Sequence, residues 1–315
     1  MTLVIPFISS AGGQERQAWK TALPEALDGI GIVKPFSDLS APERQAATIA
    51  IVANPDSKEV AALPNLKWVH SLWAGVERLA KELPEDGPMI VRLVDPQMAE
   101  TMSEAVLAWS LFLHRDMPCY GAQQRRSEWI EHELKLPEER RIGILGLGNL
   151  GQRSALRLRA NGFPVSGWSR SEKHIEGLET HAGSDGLDTV LGQSDILVVL
   201  VPLTAETAGL VDSRAFSKLP RGAALINFSR GPVLNDGDLL KALDSGHLSH
   251  AVLDVFDQEP LPQKHPFWLH EKITVLPHIS APTVTRTAVR IVAQNISRYL
   301  QTGELPETVD RGRGY

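Results

Sequence analysis

The chain has 315 residues, of which 43% are apolar and 22% charged, with a formal net charge of −6 and one cysteine. This is the composition of an ordinary globular protein with room for about two domains, and its acidic balance argues against a general grip on nucleic acid. A single cysteine rules out an intramolecular disulfide and fits a reducing compartment.

The opening MTLVIPFISS lacks basic residues and reads as a first strand, not a leader. Strands are predicted at Leu3–Ile8, Ile30–Val33, Thr48–Val52 and Lys67–Leu72, with helices at Gln14–Leu23 and Ser57–Leu63. One long helix is predicted from about Met98 to Arg126, carrying Val106, Leu107, Trp109, Leu111 and Leu113 toward another domain or a partner. A second αβ series begins at Arg141. Its six strands are Ile142–Leu145, Val165–Trp168, Ile196–Leu200, Ala224–Phe228, His250–Val255 and Ile273–Leu276, the number in a complete dinucleotide-binding fold. The longest apolar run, ILVVLV from Ile196 to Val201, is strand-sized and too short to cross a bilayer, so a cytoplasmic protein without membrane contact is expected.

A last helix, Val284–Leu300, has no sheet of its own left to finish and is expected to return to the first domain. The predicted fold is α/β: two Rossmann-like domains with doubly wound parallel sheets and a cleft between them. A flavodoxin-like substrate domain takes residues 1–104 and 283–315, and a dinucleotide-binding domain takes 105–282.

The stretch Gly146-Leu147-Gly148-Asn149-Leu150-Gly151 follows the strand RIGIL and opens a helix. Gly146 permits a tight turn, Gly148 lets backbone approach a pyrophosphate, and Gly151 lets the helix lie close to the strand. The helix N-terminus adds unpaired N–H groups and a positive dipole end. A structural glycine turn is the competing reading, and the strand–turn–helix context favours the dinucleotide.

The next strand ends in VSGWSRS. Sites for NAD place an acid there to bond the ribose 2′-hydroxyl. Here Ser169, Arg170 and Ser171 offer a guanidinium fork and two hydroxyls, which suit a 2′-phosphate, with Lys173 as an added cation. The expected cofactor is therefore NADP(H); the competing reading of Arg170 is a solvated surface charge. No metal is expected.

Three further stretches, LINFSRGPVLN, AVLDVFDQEPLP and VLPHISAPT, complete a set that resembles the D-isomer-specific 2-hydroxyacid dehydrogenases. The resemblance runs from Leu63 onward and is strongest over Ile142–Pro282. Within the family, WSRS, DVFDQEPLP, LPHI and the ending VDRGRGY are most similar to the bacterial glyoxylate/hydroxypyruvate reductases of the A type. It implies NADPH-dependent reduction of glyoxylate to glycolate and of hydroxypyruvate to D-glycerate. It also implies that the cofactor lies along Pro202–Thr207, Phe228 and Ser229, with Asp254 near the nicotinamide. Asp257 is read as a solvated loop charge.

The chemistry can be argued from the residues themselves. Reducing a 2-oxo acid needs an anion anchor and a proton donor. Arg230 can clamp a carboxylate with two hydrogen bonds and polarise the ketone oxygen, the alternative being an arginine that caps its turn. His278 can donate the proton, and Glu259 can hold its other ring nitrogen and favour the imidazolium. His278 and Arg230 thus serve both cofactor and substrate. His70, His114 and His265 lack such company and read as ordinary histidines, and Cys119 as packing.

On the substrate side, KWVHSLWAGVERL places Ala74, Gly75 and Val76 in a strand-to-helix turn whose amides suit the carboxylate. Trp73 stands where the family pattern has a small residue. It either walls the pocket or packs in the core; Trp268 is a weaker candidate for the pocket. The partners expected are a small 2-oxo or 2-hydroxy acid and a second copy of the chain in a homodimer. Two other readings stand beside this one: a reductase of bulkier acids such as phenylpyruvate, and a dinucleotide-sensing protein without turnover, which lacks the basic arm or tail such a protein needs.

Overall fold

Short buried strands alternating with helices build two all-parallel sheets in residues 3–312, the part of the chain described by the computed structural model. The chain divides into two compact units, Met1–Gln97 with Thr283–Tyr315, and Met98–Pro282.

The first unit runs β1 (Val4–Ser9), α1 (Gly13–Ala26), β2 (Ile32–Pro35), α2 (Ala41–Ala46), β3 (Ile49–Ala53), α3 (Ser57–Ala61), β4 (Trp68–Ser71), α4 (Glu77–Glu82) and β5 (Met89–Val91). The sheet order β2-β1-β3-β4-β5 is doubly wound. β3 reads IAIVA and is buried throughout, as a central parallel strand covered on both faces must be. β5, at the edge, has no counterpart among the predicted strands. Its three residues are too few to show a period beside the loop-like PEDGP that precedes them.

The second unit holds α5 (Pro96–His114, entered from the first unit) and α6 (Met117–Arg125), followed by β6 (Ile142–Leu145) and α7 (Asn149–Ala160). Next come β7 (Val165–Ser169), β8 (Glu179–Ala182), α8 (Gly183–Gln193), β9 (Ile196–Val199), α9 (Ser213–Lys218), β10 (Ala223–Asn227), α10 (Asp236–Asp244), β11 (Leu248–Leu253) and β12 (Ile273–Val275). The order β12-β11-β10-β9-β6-β7-β8 has seven strands, not the six expected. β8 reads ETHA, an edge strand without an apolar face, so hydrophobic alternation could not find it. The order reverses between β6 and β9, the switch point where such folds bind ligands.

The single helix predicted over 98–126 is two helices. Asp116 adopts φ 53°, which ends α5, and α6 starts anew with Pro118 in its first turn, where a proline costs no hydrogen bond. The Asp-Met-Pro sequence was the available signal for the break.

From Pro282 the chain returns to the first unit as α11 (Thr285–Thr302). One face of it buries Ala288, Val289, Val292, Ala293 and Ile296, and Tyr299 meets Trp68 edge to face with centroids 5.3 Å apart. Asn295 of α11 donates to Nε2 of His70 in β4 at 2.9 Å, and Nδ1–H of His70 donates to the Ser71 carbonyl at 2.9 Å. Both ring nitrogens are thereby satisfied in the neutral form. Burial, partly opposed by the bond to Ser71, lowers the pKa of His70 to about 4 from 6.5.

The unfolded chain therefore binds a proton at His70 that the folded chain refuses, and stability present above pH 6.5 is lost as pH falls toward 4. Urea unfolding should show a loss of about 2 kcal/mol from this group between pH 7 and 5. His70→Gln should flatten that part of the stability profile; an unchanged slope would remove His70 as its source.

Candidate active site

The loop after β6 is packed at two of its glycines and open at the third. Gly146 has φ +102°, and a Cβ there would lie 2.7 Å from the Leu200 carbonyl beyond β9. A Cβ on Gly151 would run into the Gly146 carbonyl oxygen. At Gly148 a Cβ would meet nothing within 4 Å, so the backbone is approachable from that side. Gly148 also N-caps α7 without a side-chain cap, so no side chain at the cap claims the first-turn amides. A close turn, an open backbone and an uncapped helix start fit a pyrophosphate. Of the other residues in the loop, Leu147 is buried, while Asn149 is exposed and Leu150 half-buried in the first turn of α7.

At the end of β7, Ser169 is buried and its hydroxyl donates to the Ser171 carbonyl at 2.8 Å. Arg170 is exposed, and its Nη1 lies 2.7 Å from Oε2 of Glu206. Lys173, read as an added cation, donates from Nζ to the Leu147 carbonyl at 2.8 Å. Glu206 belongs to the loop after β9, where the Thr207 hydroxyl donates to the Pro202 carbonyl at 2.6 Å and accepts from the Thr204 amide at 2.8 Å.

Beyond β10 the turn is built by Asn227. Its Oδ1 accepts from the amide (3.1 Å) and hydroxyl (2.8 Å) of Ser229, and its Nδ2 donates to the Arg230 carbonyl at 3.1 Å. Phe228 and Ser229 are buried behind the turn. Arg230 donates from Nη1 to the Ser229 carbonyl at 2.7 Å. A Cβ on Gly231 would collide with the backbone of Phe256, so this turn is pressed against the segment that follows β11.

That segment carries Asp254, 2% exposed. Its two carboxylate oxygens accept the amides of Ile279 and Ser280 at 2.7 and 2.8 Å. These bonds fasten the loop after β12 just past His278, which sits at φ 55°, a conformation that costs a non-glycine residue energy unless its surroundings enforce it. His278 Nδ1–H donates to Oε2 of Glu259 at 2.8 Å, while Oε1 of Glu259 accepts the Phe256 amide at 2.9 Å. Nδ1 is thus committed, and Nε2 is the nitrogen left for chemistry.

The hydrogen bond to Glu259 raises the His278 pKa. Partial burial works against it, the Glu259 and Asp254 charges support it, and the Arg230 charge opposes it. For Glu259, burial pushes upward, yet the bonds from His278 and from the Phe256 amide bring the carboxyl below its ordinary value. Both groups feel Arg230, so the three residues form one electrostatic unit.

Trp73, Ala74, Gly75 and Val76 follow β4 in the first unit. The Trp73 amide donates to the Ser71 hydroxyl at 3.0 Å, and its indole meets Trp19 of α1 edge to face at 6.1 Å, which is the core contact weighed for it. Ala74 and Gly75 are half-buried, and Val76 is buried at the start of α4. Trp268 lies on a short 3₁₀ turn and donates to the Pro262 carbonyl at 2.9 Å. His114 is buried against Phe163 and Asp257 is an exposed loop residue. Cys119, expected in packing, is exposed on α6. Partial burial of its sulfur, with Asp116 nearby, raises its pKa, which makes it a poor nucleophile.

Sequence reasoning missed two residues here and part of the work of a third. Glu206 gave no signal, because its partner lies 36 residues away. Asn227 was legible as an Asx-type turn former directly after a strand. Asp254 was named for its place near the nicotinamide, while its hold on the His278 loop was not foreseen.

Residues 107–280 match the model of the D-isomer specific 2-hydroxyacid dehydrogenase NAD-binding domain. The chain belongs to the D-isomer-specific 2-hydroxyacid dehydrogenase family. Among its relatives, the glyoxylate/hydroxypyruvate reductase A of Serratia proteamaculans (strain 568) is 40% identical over 270 residues, 84% of this chain and 86% of the relative. That of Salmonella newport (strain SL254) is 37% identical over 305 residues, 94% and 96%. Among solved structures, a D-isomer specific 2-hydroxyacid dehydrogenase from Xanthobacter autotrophicus Py2, in complex with NADPH and MES, aligns over 100% of both chains with a TM-score of 0.91 and 38% identity. An NADPH-dependent glyoxylate/hydroxypyruvate reductase from Sinorhizobium meliloti, in complex with NADP and sulfate, aligns over 99% of both with a TM-score of 0.88 and 33% identity.

The His278–Glu259 bond should be visible in solution. By NMR, the His278 ring should titrate above 6.5, and Glu259→Gln should bring its midpoint down. A midpoint indifferent to that substitution would show that Glu259 does not set the charge of the ring.

Proposed function

We propose that the protein is an NADPH-dependent reductase of small 2-oxo acids, taking glyoxylate to glycolate and hydroxypyruvate to D-glycerate. The observation that carries this reading is the His278–Glu259 pair at 2.8 Å, electrostatically coupled to Arg230. The open backbone at Gly148 and the cation at Arg170 support the cofactor. Relatives at 37–40% identity bear the reductase name, and structures with TM-scores of 0.91 and 0.88 hold NADPH or NADP.

In this reading Gly146–Gly151 and the start of α7 take the pyrophosphate, and Ser169, Arg170 and Ser171 take the 2′-phosphate. Pro202, Thr207, Phe228 and Ser229 line the cofactor. NADPH supplies the hydride. Arg230 anchors the substrate carboxylate and draws electron density toward the ketone oxygen. His278 gives its Nε2 proton to that oxygen and becomes neutral with Nδ1–H still held by Glu259, so the correct tautomer is kept throughout. Asp254 fixes the loop from which the imidazole acts. The amides of Ala74, Gly75 and Val76 stay assigned to the carboxylate on the family resemblance, with Trp73 as the residue that would limit acid size. In this reading the substrate-side turn belongs to a substrate domain of residues 1–104 and 283–315, and the cofactor to a dinucleotide-binding domain of residues 105–282.

We also propose a cytoplasmic homodimer. The segment after α6 exposes Trp129 at 94%, Ile130 at 55%, Leu134 at 62% and Leu136 at 50%, a run of apolar side chains that a monomer does not normally leave to solvent. Sedimentation should show a dimer, and Trp129→Ser with Ile130→Ser should shift it toward monomer; an unshifted boundary would place the contact elsewhere.

Steady-state oxidation of NADPH and NADH, with glyoxylate, hydroxypyruvate, pyruvate and phenylpyruvate in turn, tests the reaction. Turnover should favour NADPH and the smaller acids, and His278→Ala should lower kcat by roughly 10²–10⁴-fold with cofactor binding intact. Best turnover with phenylpyruvate would move the substrate to bulkier acids. Absence of turnover in protein that still binds NADPH would make it a sensor.

A further inference from the structure

The adenosine end of this dinucleotide fold holds an anion as well as a cation. Arg170 stands just past β7, where folds that take the unphosphorylated cofactor carry an acid for the ribose 2′-hydroxyl. The acid missing from that position arrives from another loop: Glu206 sets Oε2 2.7 Å from Arg170 Nη1.

The side chains of Arg170 and Glu206 are 41% and 64% exposed, so their bond is weak enough for a charged ligand to break. The backbone beneath Glu206 is held more firmly, through the bonds of Thr207 to Pro202 and Thr204. The carboxylate thus sits against the guanidinium on a loop held by its own hydrogen bonds. An arriving 2′-phosphate must either push the carboxylate aside or bind beside a like charge, and both outcomes weaken its hold. An unphosphorylated ribose instead finds an acceptor for its 2′-hydroxyl.

We propose that Glu206 is a specificity-determining residue of the adenosine-ribose subsite: it competes with the 2′-phosphate for Arg170 and tempers the preference for NADP(H) over NAD(H). The inference rests on the NADPH reading above.

Calorimetric binding of 2′,5′-ADP and 5′-AMP to the purified protein tests it without turnover. The unaltered protein should bind 2′,5′-ADP more tightly than 5′-AMP. Glu206→Gln should tighten 2′,5′-ADP by about threefold to tenfold at low salt, and less as ionic strength rises. Its binding of 5′-AMP should be unchanged or weaker. In an Arg170→Ala background the gain from Glu206→Gln should shrink, since the contested guanidinium is gone. An unchanged ratio of the two affinities would overturn the proposal. Weaker 2′,5′-ADP binding in Glu206→Gln would also overturn it and make Glu206 the residue that steadies Arg170. Equal binding of the two nucleotides by the unaltered protein would overturn the NADPH reading itself, and this inference with it.

Discussion

The buried carboxylate of Asp254 is the constraint on which the reactive group depends. It spends both oxygens on the amides of Ile279 and Ser280, and these bonds hold His278 in a left-handed conformation that isolated chain would seldom adopt. From there the imidazole meets Glu259, which is itself fixed by the Phe256 amide. The loops after β11 and β12 are therefore locked to one another by hydrogen bonds to charged acceptors, the stronger kind. The proton donor is aimed by backbone geometry as much as by its own side chain.

The same logic explains why so much of the second unit's chemistry lies in loops. Parallel strands bury both faces and leave little room for polar side chains along their length. Function is then confined to the carboxyl edge, where β6, β7, β9, β10, β11 and β12 all release their chains. Residues far apart in sequence meet there because the strands are neighbours, as with Asp254 and Ser280, 26 residues apart.

How much of this was legible depended on whether the signal was local. The glycine turn, the WSRS stretch and the His–Glu–Arg set are short patterns whose spacing carries its own mechanical reason, and they could be read directly. Long buried strands such as β3 and β10 showed as apolar runs. β5 and β8 escaped because an edge strand of three or four residues needs its neighbours to exist. The break at Asp116 was visible in principle and was outvoted by the helical period on either side. Glu206 was beyond reach: nothing near it in the chain marks an acid that will complete a pair with Arg170, and only the sheet order brings their loops together.

The first unit borrows α11 from the far end of the chain, and His70 and Asn295 are 225 residues apart when they bond. During synthesis the amino-terminal sheet is thus made first and finished last. Its strands emerge without the helix that covers Trp68 and His70, while the second unit, continuous from Met98 to Pro282, has every segment it needs before α11 appears. The order of birth and the order of completion are reversed, and the nascent chain carries an uncovered apolar surface for the time it takes to translate the intervening residues.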